Sequence, residues 1–133
     1  MPTHSQHLRR LTLGLTVCLA GSPCATLAQS AARGQMLFES RCVACHSLDE
    51  NRVGPALRTV LGRKAGTAPD FDYSPALAGA THRWTGPLLR TWLTDPEKLV
   101  PGQRMGYRVD DAKDRDDLVT FLSANGKKGR AAQ

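Results

Sequence analysis

Read from the N-terminus, the chain changes its pattern of apolar and polar positions several times. Residues 1–10 (MPTHSQHLRR) are polar and end in two arginines, and an uncharged apolar run follows from Leu11 to Gly21. From about Ala31 to Arg41, Met36 and Leu37, with Gly34 and Phe38, fall at helical spacing and predict a helix, with Met36 as a packing residue. Residues 47–73 are rich in Gly, Pro, Asp and Asn and read as loop, with a short turn at Leu57–Leu61. Ser74-Pro75 is a cap followed by a first-turn proline, predicting a short helix over Pro75–Ala80. Thr85 caps the next helix, whose apolar face is Leu88, Leu89, Trp92 and Leu93; Asp95-Pro96 ends it, since the residue before proline disfavours the helical region. Residues 97–109 read as loop with an extended segment. A last helix starts at Asp110 or Asp111, where acidic residues suit the helix dipole. Leu118, Val119, Phe121 and Leu122 face inward, Gly126 stops the helix, and the KKGR run (Lys127–Arg130) reads as a solvated frayed end. The fold class is therefore all-α, with no strands and long loops. Loops of this length in so small a domain call for something to wrap around.

Composition sharpens this picture at the N-terminus. A positive start, an apolar run and the small-residue stretch SPCATLAQSA have the form of a secretory signal peptide, residues 1–28, with the cut after Ala28 and with Ala31 and Ala32 as other cut sites. Retention as an anchor is the alternative, but Pro23 interrupts the apolar stretch, and a membrane span needs about 20 residues. Pro23 before Cys24 is the wrong neighbour for lipidation. The remaining domain is residues 29–133, with a core at about 33–125, one modest core by size. The chain carries 18 Lys+Arg against 12 Asp+Glu, and losing Arg9 and Arg10 lowers its net charge from +6 to +4. No basic patch with interleaved aromatics points to nucleic acid.

The cysteines carry the chemistry. Of four, Cys18 and Cys24 fall in the leader, and Cys42 and Cys45 belong to CVACH. C-x-x-C-H is the attachment signature of haem c. Two thiols one helical turn apart can reach the two vinyl groups on one porphyrin edge, and the adjacent His46 is then held beneath the iron. The same spacing occurs as half of a zinc site, which needs further Cys or His where only His82 remains after the leader. It also occurs as a redox dithiol, which expects a βαβ setting that is not predicted here. His82 is unassigned and reads as a surface loop residue.

Ordered segments now show a resemblance. GQMLFESRCVACH, VGPAL, GRKAGTAP, FDYSPAL, Trp84, WLTDPEKLVPGQRM and DLVTFL follow one another over about Arg33 to Asn125. In this the chain resembles the class I c-type cytochromes, mitochondrial and bacterial periplasmic. The resemblance implies the small monohaem cytochrome c fold, about four to five helices with long loops around one covalently attached haem c. It implies His46 and Met105 as the iron ligands, and Met105 as a soft donor that raises the potential. It implies the Pro55 carbonyl on the other nitrogen of His46, and Arg63, Tyr73 and Trp84 near the inner propionate. Gly34 and Phe38 match the first-helix contact, and Leu118 and Phe121 its last-helix partner. Three positions depart from the family pattern. Trp92 stands where the family commonly has a tyrosine that bonds the methionine sulfur, which leaves that bond, and with it the potential, open. Leu77 replaces an asparagine, and Glu97 a lysine.

The function so implied is periplasmic transfer of single electrons by a monomer exported through the Sec pathway. Its partners are transient redox proteins; it has no catalytic residues and no membrane insertion once the leader is cut. Two other readings are a fixed haem subunit of a periplasmic dehydrogenase or oxidase, and a peroxidase- or gas-sensor-like haem protein with an open iron site.

Overall fold

The computed structural model describes residues 23–131. Most of the expected leader, including Arg9, Arg10 and Cys18, lies outside the described residues. The order of elements is α1 (Pro23–Arg41), α2 (Pro75–Ala78), α3 (Gly86–Thr94), α4 (Pro96–Leu99) and α5 (Ala112–Ala131). Among the described residues the only β pairing is an isolated bridge between Lys64 and Arg83.

Caps set most of the boundaries, as expected. The Ser74 hydroxyl accepts from the Leu77 N–H, and the Thr85 hydroxyl from the Leu88 N–H. The Asp111 carboxylate accepts from the Asp114 N–H at 2.8 Å and so opens α5. Asp95 does more than end α3. Its carboxylate accepts from the Lys98 N–H and starts α4, a helix placed where a loop was expected. The two roles are compatible, because an acidic residue before proline is both a helix stop and a helix start.

The dominant helix pair is α1 against α5. Gly34 and Phe38 face Asp117, Leu118 and Phe121, and the two phenyl rings lie 5.4 Å apart. A Cβ at Gly34 would sit 2.0 Å from the Asp117 carbonyl oxygen, so only glycine permits this crossing. A charged lattice closes the crossing on one side. Arg33 pairs with both Asp114 and Asp117, Arg41 adds a bond to Asp114, and Lys113 one to Asp117. Burial pushes the Asp117 carboxyl up, but hydrogen bonds from Lys113, Arg33 and Ser30 outweigh it and hold the group below its ordinary value.

Several expectations need correction. α1 begins at Pro23, not near Ala31, so it crosses the expected cut site. Met36 is 62% exposed and packs on nothing in the core, because Leu37 and Phe38 hold the buried face of α1. Gly126 does not stop α5. It is buried in the helix, where a Cβ would lie 3.1 Å from the Arg58 carbonyl, so glycine serves close approach to the Arg58 loop. The helix therefore runs through the KKGR segment instead of fraying before it. His82 is half-buried, not a free surface residue: its ring meets Trp84 edge-on at 4.7 Å and its Nε2 is buried without a partner.

Gly34→Ala should lower the stability of the haem-loaded protein by about 1–3 kcal/mol through overpacking at the crossing. Denaturant unfolding monitored by helical circular dichroism checks this.

Candidate functional site

α1 does not end cleanly at Arg41. Its hydrogen-bond ladder continues through the CVACH turn: the Cys42 N–H donates to the Phe38 carbonyl at 2.9 Å and the His46 N–H to the Cys42 carbonyl at 2.8 Å. This helical turn sets the spacing of the two cysteines, whose thiols are unpaired, Cys42 partly buried and Cys45 exposed. Burial pushes the Cys42 thiol up to about 11, a rise that nearby Arg41 opposes.

The His46 ring is fixed on one side. Its Nδ1 lies 2.8 Å from the Pro55 carbonyl oxygen. A carbonyl only accepts, so Nδ1 carries the proton and Nε2 keeps a free lone pair. Burial pulls the His46 pKa below its ordinary value, with the Pro55 bond working against it, so the neutral ring is favoured. Gly54 makes the contact possible. A Cβ there would lie 2.2 Å from the imidazole Cε1.

These groups line one cavity of about 440 Å³. Its walls come from the CVACH turn, residues 53–63, residues 71–77, α3 and the 104–107 loop. Every residue expected at the haem lines it: Cys42, Cys45, His46, Pro55, Arg63, Tyr73, Trp84 and Met105. Leu77 and Trp92 join them. Lining residues that the sequence did not single out include Val60, Ser74 and Leu89. Ser74 was visible only as a helix cap, and Leu89 only as part of an apolar face.

Two polar features complete the cavity. Arg63 is half-buried, and burial pulls its guanidinium below its ordinary value while Tyr73 opposes the shift. Its Nη2 donates to the Ala56 carbonyl at 3.0 Å, but its Nε is buried with no partner. The Tyr73 hydroxyl oxygen accepts from the Ala68 N–H at 3.2 Å, which leaves its own proton to donate. An orphaned cationic donor and a phenol proton in one wall ask for an acceptor such as a carboxylate. At the other feature, the Trp92 indole Nε1–H donates to the Met105 Sδ at 3.1 Å. Tryptophan thus makes the bond that the sequence left open. The indole is buried, and it meets Trp84 at 5.2 Å in an edge-on pair that holds the ring.

Unpaired thiols, an imidazole with a free nitrogen, a thioether and an unsatisfied arginine on one largely apolar cavity fit a covalently attached porphyrin with carboxylate arms. Half of a zinc site fits less well, since no group of three or more His, Cys, Asp or Glu side chains gathers as a metal site among the described residues. The fold and the cavity together define a helical haem c protein.

Comparison with known proteins makes the class specific. The family profile described as Cytochrome c matches residues 31–125. Cytochrome c2 of Blastochloris viridis is 36% identical over 128 residues, covering 91% of this chain and 99% of that protein. Cytochrome c-550 of Bradyrhizobium diazoefficiens is 36% identical over 107 residues, covering 77% of this chain and 78% of that protein. Among solved structures, cytochrome cH from Methylobacterium extorquens matches with a TM-score of 0.67 and 40% identity, covering 71% of this chain and 97% of that one. The chain belongs to the cytochrome c family, as a class I c-type cytochrome with the monohaem fold. It is a haem c electron-transfer protein with a covalently attached haem.

Gly54→Ala should cost about 1–3 kcal/mol by pressing on the imidazole. Proton NMR of the His46 Nδ1–H resonance, alongside denaturant unfolding, checks it; an unmoved resonance at unchanged stability contradicts the contact.

Proposed function

We propose that this chain is a diffusible periplasmic electron carrier, monomeric, in which Cys42 and Cys45 hold the haem and His46 and Met105 bind its iron from opposite faces. The observation that carries this reading is the pair of pre-oriented donors on one cavity. Pro55 occupies Nδ1 of His46, and Trp92 occupies one lone pair of the Met105 sulfur. Each donor is left with one lone pair for a metal.

When bound, haem c supplies an iron that alternates between ferrous and ferric. The chain's own residues do the rest. The Pro55 carbonyl holds the imidazole tautomer and makes its free nitrogen more basic. The Trp92 N–H withdraws electron density from the thioether. Leu77, Leu89 and Trp84 keep the cavity apolar. Arg63 and Tyr73 offer donors to a propionate, and Trp84 backs that wall. If His46 and Met105 both bind the iron, neither would leave it a place for a substrate, which supports transfer of electrons and not catalysis. The exposed mouth, with Val53 79% exposed and Tyr107 42% exposed, is where the electron would leave, in small and brief contacts with redox proteins.

Export is the second part of the proposal. The leader would be residues 1–28, leaving 29–133 as the cytochrome domain. Residues 25–28, just before the proposed cut, are all exposed, so their removal costs no core contact of their own. The bacterial relatives named cytochrome c2 and c-550 are consistent with a periplasmic site, although plant and fungal cytochromes c match equally. Among the described residues no helix is long and apolar enough to cross a membrane.

Met105→Ala should abolish the low-spin spectrum of sulfur-bound iron and lower the potential on the order of 0.1 V or more, within the roughly 0.8 V that axial ligands span. A redox titration followed by absorbance measures both, and an unchanged spectrum refutes the ligand assignment. Mass spectrometry of the exported protein should find a chain beginning at Gln29; a mature chain that still begins with the leader favours the fixed-subunit reading.

A further inference from the structure

The segment that presents Met105 leaves α4 at Leu99 and turns at Pro101-Gly102 before reaching the sulfur. Val100 anchors it in the core and Gln103 and Met105 are half-buried, but its tip, Pro101 and Gly102, and Arg104 are on the surface. At the tip the backbone supplies one turn bond, from the Gln103 N–H to the Val100 carbonyl at 3.2 Å. Arg104 reaches out to Asp72, and the side-chain bonds to Gly102 and Gln103 converge on one carboxylate. Glu97 Oε1 accepts from the Gly102 N–H at 2.9 Å, and Glu97 Oε2 accepts from the Gln103 Nε2 at 3.2 Å. One carboxylate thus bridges the first turn of α4 to the tip of the loop. Glu97 makes no ion pair within 4 Å among the described residues, so its two oxygens are committed to this bridge and not to a neighbouring cation.

We propose that Glu97 is a positioning residue for Met105: its carboxylate clamps the loop tip at Gly102 and Gln103 and so keeps the sulfur on the cavity. The proposal rests on the reading of Met105 as an iron ligand. A loop clamped at its tip opens less often, and an outside ligand can reach the iron only while the loop is open. The apparent affinity for such a ligand falls in proportion to the open population. Hydrogen bonds to a charged acceptor are the stronger kind, but these are exposed, which reduces them.

The test uses the oxidised, haem-loaded full-length protein and imidazole as the outside ligand. Loss of the methionine–iron absorption signature is followed as imidazole is added. Glu97→Ala should bind imidazole about tenfold more tightly than wild type, equivalent to about 1.4 kcal/mol of loop closure. Glu97→Gln should stay within about threefold of wild type. Its carboxamide oxygen still accepts from the Gly102 N–H, and a flip of the Gln103 amide, whose Nε2 now faces Glu97 Oε2, would turn the Gln103 oxygen toward the new amide nitrogen. A merely structural defect would not be rescued in this graded way. Equal imidazole affinity in Glu97→Ala and wild type overturns the proposal, as does an equal gain in Glu97→Gln. Absence of the methionine signature in wild type is a separate result: it overturns the ligand reading itself, and the clamp falls with it.

Discussion

The rest of the fold depends on an apolar cavity of about 440 Å³ shaped between the CVACH turn, the loops and α3. Protein interiors are packed with few spaces larger than a water molecule, so a space of this size between elements reads as a binding site and not as a packing defect. A covalently attached haem, the group that the family carries, fits it and accounts for the long loops. Residues 47–73 and 100–111 carry little regular structure because their partner is the occupant and not another element. The α1–α5 crossing is the one large contact between elements that the cavity does not interrupt, and Gly34 makes it close.

Much of this was legible in the sequence wherever the signal was local. Ser74, Thr85 and Asp111 act as helix caps, and the CVACH turn continues the first helix, because these are decided within four residues. The misreadings have a common physical form, in which a local signal has two meanings and tertiary contact selects one. Asp95-Pro96 ends one helix and begins another. Gly126 can terminate a helix or admit a neighbouring backbone, and the Arg58 carbonyl decides for the second. Met36 is apolar at helical spacing, yet it lies outside the stripe that α5 covers. The Arg33 pairing with Asp114 and Asp117 spans more than 80 residues of chain and has no local signature at all. The residues expected at the haem do line one cavity, but their individual bonds, such as the orphaned Arg63 Nε, depend on geometry that spacing does not carry.

The two departures on the methionine side have compensating chemistry. A lysine replaced by Glu97 removes positive charge from the loop and adds an acceptor, which the loop tip uses. A neighbouring surface pair, Arg104 with Asp72 at 3.2 Å, is largely exposed and adds little hold. The loop is thus held at its tip by an acceptor and at Met105 by a donor.

That donor, Trp92, constrains the electronics more tightly than a tyrosine would. A thioether has no proton, so either ring can only donate to it. A phenol O–H turns about its C–O bond and can donate to another acceptor, whereas an indole N–H is fixed in the plane of its ring. Here that N–H donates to the Met105 sulfur at 3.1 Å, and Trp84 packs edge-on against the ring. A thioether that shares one lone pair with an N–H gives less density to a metal on the other. Less donation disfavours the ferric state more than the ferrous, which pushes the potential upward. Tryptophan in place of tyrosine thus keeps a donor on the sulfur and removes the freedom of a hydroxyl to turn away, so with Met105 as the proposed ligand the bond acts on the potential in one direction only.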